Sequence, residues 1–427
     1  MEIAIKELSM KLIFFLLSIM VVTAQDKGGQ LPPWEEGMLD IHHINTGRGD
    51  AAFFIFPDAT TLLLDAGDMS EIHPRTLSAR NAVQKPDNSK TAPQWIVDYV
   101  HQFFPKNKTL QLDYGIISHY HDDHFGEMDV YRKRHPKGNY ALTGMMEVGS
   151  LLPIKTHLDR GSSFPIDLKN PLVEKEIKAN DSFSTIETLQ EYWKYMEYHA
   201  EEDGMNYEIL KPGALNQINL KNSSNKYSNF EVRNIAVNGD VWTGENEDYY
   251  SLFSKGEYPG ENPLSICLKI TYGEFEYFTG GDISGIDAFG QTDLNSLESH
   301  VAPVIGPVDV ATLNHHGNRD SQNIFYVKTI RPRVWIQQNW SSDHPGGEVL
   351  RRITSKRLYP GERDLFSTVM LQPNKDVIGD RLNQYKSQNG HIVVRVYDHG
   401  SRYDVFILND DSKEREIIGK YGPYEAR

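Results

Sequence analysis

Residues 119–124 read His-Tyr-His-Asp-Asp-His, and this stretch decides the fold. It comes directly after residues 112–118, an apolar run that is typical of a buried strand, so the cluster lies where that strand ends. Alternation along an extended chain directs the first two histidines to the same side. The second aspartate and the last histidine come where the chain should turn into a helix, so they face a neighbouring position.

This order of side chains predicts two adjacent metal sites. The candidate ligands are His119 and His121 on one side, and Asp123 and His124 on the other. Imidazole and carboxylate donors together suit Zn²⁺, with Mn²⁺ or Fe²⁺ as alternatives. The competing interpretation is a polar surface loop rich in histidine, but four ligand-type residues among six, directly after a strand, favour the metal sites.

Two remote strand ends offer the partners that such a cluster needs. Residues 275–282 form a strand-like run into two glycines and Asp282, whose carboxylate could bridge two cations. Residues 309–317 are a second strand-like run, which ends in His315 and His316 before a glycine. A Gly-Gly-Asp turn alone is ordinary, but its combination with the cluster, in this order, indicates one composite site.

Five motifs in chain order resemble those of the metallo-β-lactamase superfamily and, within it, the hydrolase domain of the competence protein ComEC. They are Asn45-x-Gly-x-Gly-Asp50, Leu63-Leu64-Asp65-Ala66-Gly67, the cluster at 119–124, Thr279-Gly280-Gly281-Asp282 and His315-His316-Gly317. Together they span residues 39 to about 350. The resemblance implies an α/β chain with a four-layer αββα fold and a dinuclear metal site at one edge of the paired sheets.

The resemblance also implies a role for each site residue. The implied metal ligands are His119 and His121 on the first metal, Asp123 and His124 on the second, and Asp282 between them. We expect His315 to be the further ligand of the second metal because it comes first off its strand, and His316 to touch the substrate. Asp65 would accept a hydrogen bond from a ligand histidine and fix its tautomer.

One departure from the family pattern concerns the first metal. Many superfamily members carry a further histidine between the cluster and the bridging aspartate, but residues 200–299 contain none. Asp240, Asn262 or water could take that place. The sequence leaves both one-metal and two-metal operation open.

The expected chemistry is hydrolysis, since a divalent cation lowers the pKa of water from about 16 to near 7. Asp123 or Asp282 could shuttle the proton. His344, in the run 341–347 after another strand, is a candidate acid or oxyanion partner. Its alternative role is an exposed histidine in a turn that starts a helix.

Three functions compete. The leading one is an exported hydrolase of a phosphodiester or phosphate ester, whose substrate is a small-molecule or oligomeric ester. Phosphate specificity requires cationic residues near the metals, and Arg319 is one candidate. The second is a carboxylic ester, lactone or β-lactam hydrolase on the same metals. The third is a non-catalytic binding protein on a decayed scaffold, which the intact ligand set argues against because buried unpaired ligands are costly.

The composition of the chain argues against non-specific nucleic-acid binding and against an internal disulfide. The chain has 427 residues and a formal net charge of −15, and an acidic chain is a poor non-specific binder of nucleic acid. Cys267 is the single cysteine, so no internal disulfide can form, and its strand-like surroundings indicate a small core residue.

The N-terminus predicts export. Lys6 and Lys11 precede the apolar run 12–22, and small residues suit cleavage after Ala24. The run is shorter than the ~20 residues that span a bilayer, and no later stretch looks transmembrane, so we expect a secreted or periplasmic protein. The predicted segments are a signal peptide at 1–24, a linker at 25–36, a metallo-β-lactamase-like domain at 37–410 with an insertion or cap at 145–230, and a C-terminal tail at 411–427.

Overall fold

The structure is a computed structural model that describes residues 28–181, 183–286 and 293–427. Its first sheet is built from strands near both ends of the chain. Its strands are β1 Leu39–His43, β2 Ala52–Ile55, β3 Thr61–Leu64, β4 Leu112–Ile116, β5 Ile154–Asp159, β6 Asn206–Ile209, β16 His391–Tyr397, β17 Arg402–Leu408 and β18 Ile417–Glu425. Their order is β18-β17-β16-β1-β2-β3-β4-β5-β6. The pairs from β3 to β6 are parallel and the others antiparallel.

The second sheet uses the middle of the chain. Its strands are β7 Phe230–Val237, β8 Asp240–Trp242, β9 Tyr249–Ser251, β10 Cys267–Tyr272, β11 Phe275–Thr279, β12 Val310–Thr312, β13 Val334–Gln337, β14 Asp364–Ser367 and β15 Tyr385–Ser387. Their order is β15-β14-β13-β12-β11-β10-β7-β8-β9, with parallel pairing from β11 to β15. Cys267 is fully buried in β10, as predicted for a core residue.

Helices connect the parallel strands. They are α1 Ala92–Phe103, α2 Asp122–Phe125, α3 Gly144–Leu151, α4 Pro171–Asn180, α5 Thr185–Glu202, α6 Leu297–Ile305, α7 Ile324–Ile330, α8 Gly347–Ile353 and α9 Gln372–Ile378. The start of α1 is fixed by Thr91, whose side chain accepts a hydrogen bond from the backbone of Gln94, while the Gln94 side chain accepts one from the Thr91 backbone. Within the described residues, no helix combines the length and apolar character that a membrane crossing requires.

The two sheets pack face to face because successive strand residues point to opposite faces. In β2, Phe54 lies in the core between the sheets, whereas Phe53 lies in the core under the helices. The inter-sheet core also contains Ile116, Leu268 and Ile336, so strands of both sheets contribute to it.

A helical layer covers each outer face. On the first sheet the packed helices are α1, α3 and α5, represented in the core by Ile96, Met145 and Leu189. On the second sheet they are α6, α7 and α8, represented by Val301, Val327 and Leu350. The chain is therefore an α/β protein with the predicted four-layer αββα order.

The segment 145–230, expected to be an insertion over the scaffold, is in large part scaffold itself. It supplies β5 and β6 to the edge of the first sheet, and α5 packs against that sheet's outer face. Only α4 has the character of a cap, since none of its residues is buried. Proline residues and mixed charges hid the short parallel strands in this part of the sequence.

Both ends of the expected domain also differ from the predicted segments. Residues 411–427, expected to be a tail, contain β18, which pairs with β17 at the sheet edge. Within the predicted linker, Gly28 donates a backbone hydrogen bond to Ile417, and Leu31 is buried. The predicted signal peptide at 1–24 lies outside the described residues.

A buried ion pair joins the middle strands of the first sheet. Arg395 on β16 donates two hydrogen bonds to the Asp40 carboxylate on β1, at 2.8 and 2.7 Å. Both side chains are buried. Burial alone would raise the pKa of Asp40, but the guanidinium outweighs it and lowers the pKa to about 2.

Replacing Arg395 with methionine should destabilise the protein by about 3–5 kcal/mol, because it leaves a buried carboxylate unpaired. Since the pKa of Asp40 is depressed in the fold, the wild-type contribution is present above about pH 4 and is lost as pH falls towards 2. Urea unfolding at several pH values measures both effects. The control is Arg402→Met, which breaks an exposed ion pair with Asp398 and should hardly change the stability.

Candidate metal centre

The ends of three strands bring the candidate ligands together. The strand β4 leads through Ser118 into the histidine cluster, β11 leads into Asp282, and β12 leads into the turn Asn314–Gly317. The two sheets meet at this point, because Ile266, just before β10, donates a backbone hydrogen bond to the Ser118 carbonyl at 3.0 Å. The ligands thus lie at one edge of the paired sheets.

The group at the expected second metal site consists of Asp123, His124, Asp282 and His316. All four residues are buried, and their ligand atoms lie within 4.8 Å of one another. The Nε2 atom of His316 is 3.0 Å from Oδ2 of Asp123 and 3.4 Å from Nε2 of His124. The Nε2 atom of His124 is 3.2 Å from Oδ1 of Asp282. Two imidazoles and two carboxylates facing one point are a donor set that fits a divalent cation.

The group expected for the first metal consists of His119, His121 and Asp282. The Nε2 atom of His119 is 3.2 Å from Nδ1 of His121 and 3.8 Å from Oδ2 of Asp282. Burial holds the pKa of His119 well below its ordinary value, so the ring is neutral, which is the form that binds metals. Asp282 belongs to both groups and offers a different oxygen to each of the neighbouring histidines His119 and His124.

Two of these histidines are held from behind by carboxylates. The Nδ1 atom of His124 is 2.9 Å from Oδ2 of Asp65, which also accepts hydrogen bonds from the backbone and hydroxyl of Ser118. The Nδ1 atom of His316 is 3.1 Å from Oδ1 of Asp50, an ion-pair contact in which neither atom makes a hydrogen bond to a described residue. Each contact leaves Nε2 directed at the ligand group. The place of Asp65 agrees with the resemblance, whereas the role of Asp50 was missed, although its motif was recognised.

The backbone around Asp123 is enclosed by two glycine-containing turns. Asp50 donates a backbone hydrogen bond to the Asp123 carbonyl at 2.7 Å, and Ala66 donates one to His124 at 2.9 Å. A Cβ atom on Gly49 or Gly67 would lie 2.1 Å from the Asp123 carbonyl oxygen, and Gly49 also has a φ of +125°. Only glycine permits this close approach.

The structure places His316, and not His315, in the second-metal group. Both residues adopt left-handed backbone conformations, with φ values of 49° and 55°. The order along the chain therefore does not decide which ring enters the cluster. The Nε2 atom of His315 is 3.9 Å from Oδ2 of Asp282, and its Nδ1 atom is 2.8 Å from Asp320.

Of the other residues that the sequence suggested for the site, one lies beside the ligand groups and two lie away from them. His344 is buried and its ring stacks on that of His316, with centroids 5.1 Å apart, so it is not an exposed turn residue. Asp240 lies on β8, where it accepts a hydrogen bond from Ser251 on the edge strand β9. Arg319 packs against Gly346 and does not line the cavity at the ligand groups.

A cavity of about 490 Å³ opens onto both groups and includes residues that sequence reasoning missed. Trp340 donates a hydrogen bond from Nε1 to Oδ2 of Asp123 at 2.8 Å. Arg75 lies over the rings of Phe183 and Trp340, at 4.5 and 4.8 Å, and pairs with Asp122. These residues come from loops without a recognisable pattern, so no sequence signal could have found them.

No family model matches the chain, and no curated protein matches it. Among solved structures it is similar to a variant of the CmlA β-hydroxylase (10% identity, TM-score 0.35), with 86% of this chain and 54% of that chain covered, so it spans about half of that protein. It is also similar to the metallo-β-lactamase fold protein YhfI from Bacillus subtilis (11%, 0.34, covering 83% and 95%). A third is Zn²⁺-bound PqqB from Methylobacterium extorquens (11%, 0.31, covering 67% and 75%). At these values the likenesses carry no argument about activity.

The carboxylate behind His124 predicts a metal-affinity effect. Asp65→Asn should weaken Zn²⁺ binding about 10–100-fold, because the His124 ring loses the carboxylate that fixes its orientation. Titration of metal-free protein against a chelator of known affinity measures the change. Asp343→Asn, at the exposed rim of the same cavity, is the control and should bind Zn²⁺ like the wild type. Unchanged affinity in Asp65→Asn would contradict the assigned role.

Proposed function

We propose that the chain is a metal-dependent hydrolase that acts on a phosphodiester or phosphate ester. The observation that carries this proposal is the pair of ligand groups, buried except for the half-buried His121, that share Asp282 and face a cavity also lined by arginine side chains. Bound divalent cations would supply a water that ionises near neutral pH and would stabilise charge on the leaving oxygen. Export remains a prediction from residues 1–24.

The protein's own groups would position the reactants. Asp123 is held by the indole of Trp340, so its carboxylate has a fixed direction from which to accept a proton. His344 lines the cavity, and its buried Nδ1 atom has no hydrogen-bond partner among the described residues. In the tautomer with the proton on Nδ1, His344 could donate a hydrogen bond to the charged oxygen of the substrate. His316 was expected to touch the substrate, but its ring nitrogen lies among the candidate ligand atoms, so we assign it to the metal.

Arginine side chains favour phosphorus over carbonyl substrates. Arg75 and Arg80 line the cavity, in the role for which Arg319 was the sequence candidate. The guanidinium fork matches the oxygens of a phosphoryl group and always carries its charge. Arg75 is close to the ligand groups, since it pairs with Asp122, the neighbour of Asp123.

One observation favours the alternative, a carboxylic ester, lactone or β-lactam hydrolase. Each cavity arginine already has an acidic partner, Asp122 for Arg75 and Asp343 for Arg80. These pairs reduce the positive charge available to an anionic substrate, whereas a neutral substrate would not depend on it. The two candidates therefore differ in their response to loss of an arginine charge.

A small substrate panel tests the proposal. We expect Zn²⁺-loaded protein to release p-nitrophenolate from bis-p-nitrophenyl phosphate faster than it opens nitrocefin or a lactone. His121→Ala should lower the rate at least about 100-fold, because loss of a metal ligand should cost at least as much activity as loss of a residue that only orients a ligand. His101→Ala, an exposed histidine on α1, is the matched control. Preference for nitrocefin or the lactone would support the alternative, and protein that holds no metal would support a binding role.

Arg75 separates the two hydrolase candidates. Arg75→Met should lower kcat/KM for bis-p-nitrophenyl phosphate about 10–100-fold, which corresponds to a charge-assisted hydrogen bond of about 1.5–3 kcal/mol. Arg75→Lys should recover part of this loss because the charge remains. Hydrolysis of a neutral lactone should hardly change. An equal loss on both substrates would instead indicate that Arg75 only supports Asp122.

A further inference from the structure

The first metal group has few ligands of its own. Its members are His119, His121 and Asp282, and the carboxylate of Asp282 is shared with the second group. Among the described residues, no other histidine, cysteine or acidic side chain joins this group. A cation held there would have two imidazoles and part of one carboxylate.

Asn262 has the properties expected of an additional ligand of the first metal. It lines the same cavity as His121 and Asp282. Its Oδ1 atom is buried and has no hydrogen-bond partner among the described residues. An unpaired buried carbonyl oxygen destabilises the folded state, and contact with a cation would offset that cost.

The orientation of this amide is set by His315. The Nδ1 atom of His315 is 2.8 Å from the Asp320 carboxylate, so Nδ1 carries a proton and, in the neutral ring, Nε2 is an acceptor. The Asn262 amide nitrogen donates to that Nε2 atom at 3.2 Å. The amide oxygen must therefore face away from His315, which gives this histidine a positioning role.

Asn318 provides an internal comparison. Its amide nitrogen also approaches Nε2 of His315, at 3.4 Å, and it lines the same cavity. Its oxygen, however, accepts a hydrogen bond from the Arg319 backbone at 2.8 Å. Of these two amides, only Asn262 presents an oxygen that lacks a partner.

The loop that carries Asn262 is fixed to the histidine cluster. The neighbouring Glu261 makes a two-pronged ion pair with Arg160, at 2.6 and 3.1 Å, and both side chains are almost fully buried. The same carboxylate accepts a hydrogen bond from the backbone of Tyr120, which lies between the two ligand histidines. Asn262 therefore has a fixed position relative to His119 and His121.

We propose that the amide oxygen of Asn262 is a ligand of the first cation, oriented by Asp320 and His315. The inference rests on the proposed function only in requiring that the site binds cations. An amide oxygen is a harder donor than imidazole, so the first site should bind Zn²⁺ more weakly than the second and should accept Mn²⁺ more readily than a site with three histidines.

The test is a Zn²⁺ titration of metal-free full-length protein, followed by calorimetry and by metal analysis after gel filtration. Wild type should bind two ions with unequal affinities. Asn262→Leu should lower the Zn²⁺ affinity of the weaker site at least about 10-fold, since loss of a residue that only orients a ligand already costs that much. The Zn²⁺ affinity of the tighter site should not change. Asn318→Leu, the matched control, should behave as wild type.

Further variants keep the test decisive if Asn262→Leu does not fold. Asn262→Asp keeps an oxygen ligand and should retain two Zn²⁺ sites, whereas Asn262→His should raise the Zn²⁺ affinity of the weaker site. Asp320→Asn should lower that affinity, because the carboxylate that holds the proton on Nδ1 of His315 is lost. Two unchanged sites in Asn262→Leu, or no tightening in Asn262→His, would overturn the inference alone. Wild-type protein that binds no Zn²⁺ would overturn the proposed function as well.

Discussion

The carboxylate of Asp282 is shared by two groups of buried ligand atoms, and the rest of the site depends on this sharing. His119, His124 and His316 all lie within 4 Å of its oxygens. Burial alone would raise the pKa of Asp282, but His316 and His124 outweigh it and hold the pKa well below its ordinary value. So many polar groups in one buried place are costly unless charges compensate one another. Two cations shared through one carboxylate would provide that compensation.

The fold supplies the geometry that this sharing requires. The ligands follow β4, β11 and β12, so three remote parts of the chain meet where the two sheets touch. Close backbone contacts then set the position of Asp123, since a side chain at Gly49 or Gly67 would displace it. The Asp65 carboxylate behind the His124 ring fixes the direction of that ring. The scaffold is therefore rigid near the ligands, whereas the cavity above them is lined by loops such as the one that carries Arg75.

The sequence predicted the parts of the structure that depend on local pattern. The cluster at 119–124 and Asp282 could be found because apolar runs mark strands and polar residues follow them, whereas the αββα layers were implied by the resemblance of five motifs to a known superfamily. The choice between His315 and His316 depends on two left-handed residues that no periodicity reveals. The segment 145–230 was misjudged because short parallel strands such as β6 lack a strong apolar signal. Arg75 and Trp340 reach the cavity from loops, where only the tertiary structure determines neighbours.

The most direct test of the central claim is anomalous diffraction at the zinc edge from crystals of Zn²⁺-loaded protein. The account predicts two peaks about 3.5–4 Å apart with the Asp282 carboxylate between them. One peak should lie about 2.0–2.2 Å from the ligand atoms of Asp123, His124 and His316, and the other equally close to those of His119 and His121. A peak elsewhere on the chain, or none at these residues in fully loaded protein, would contradict it.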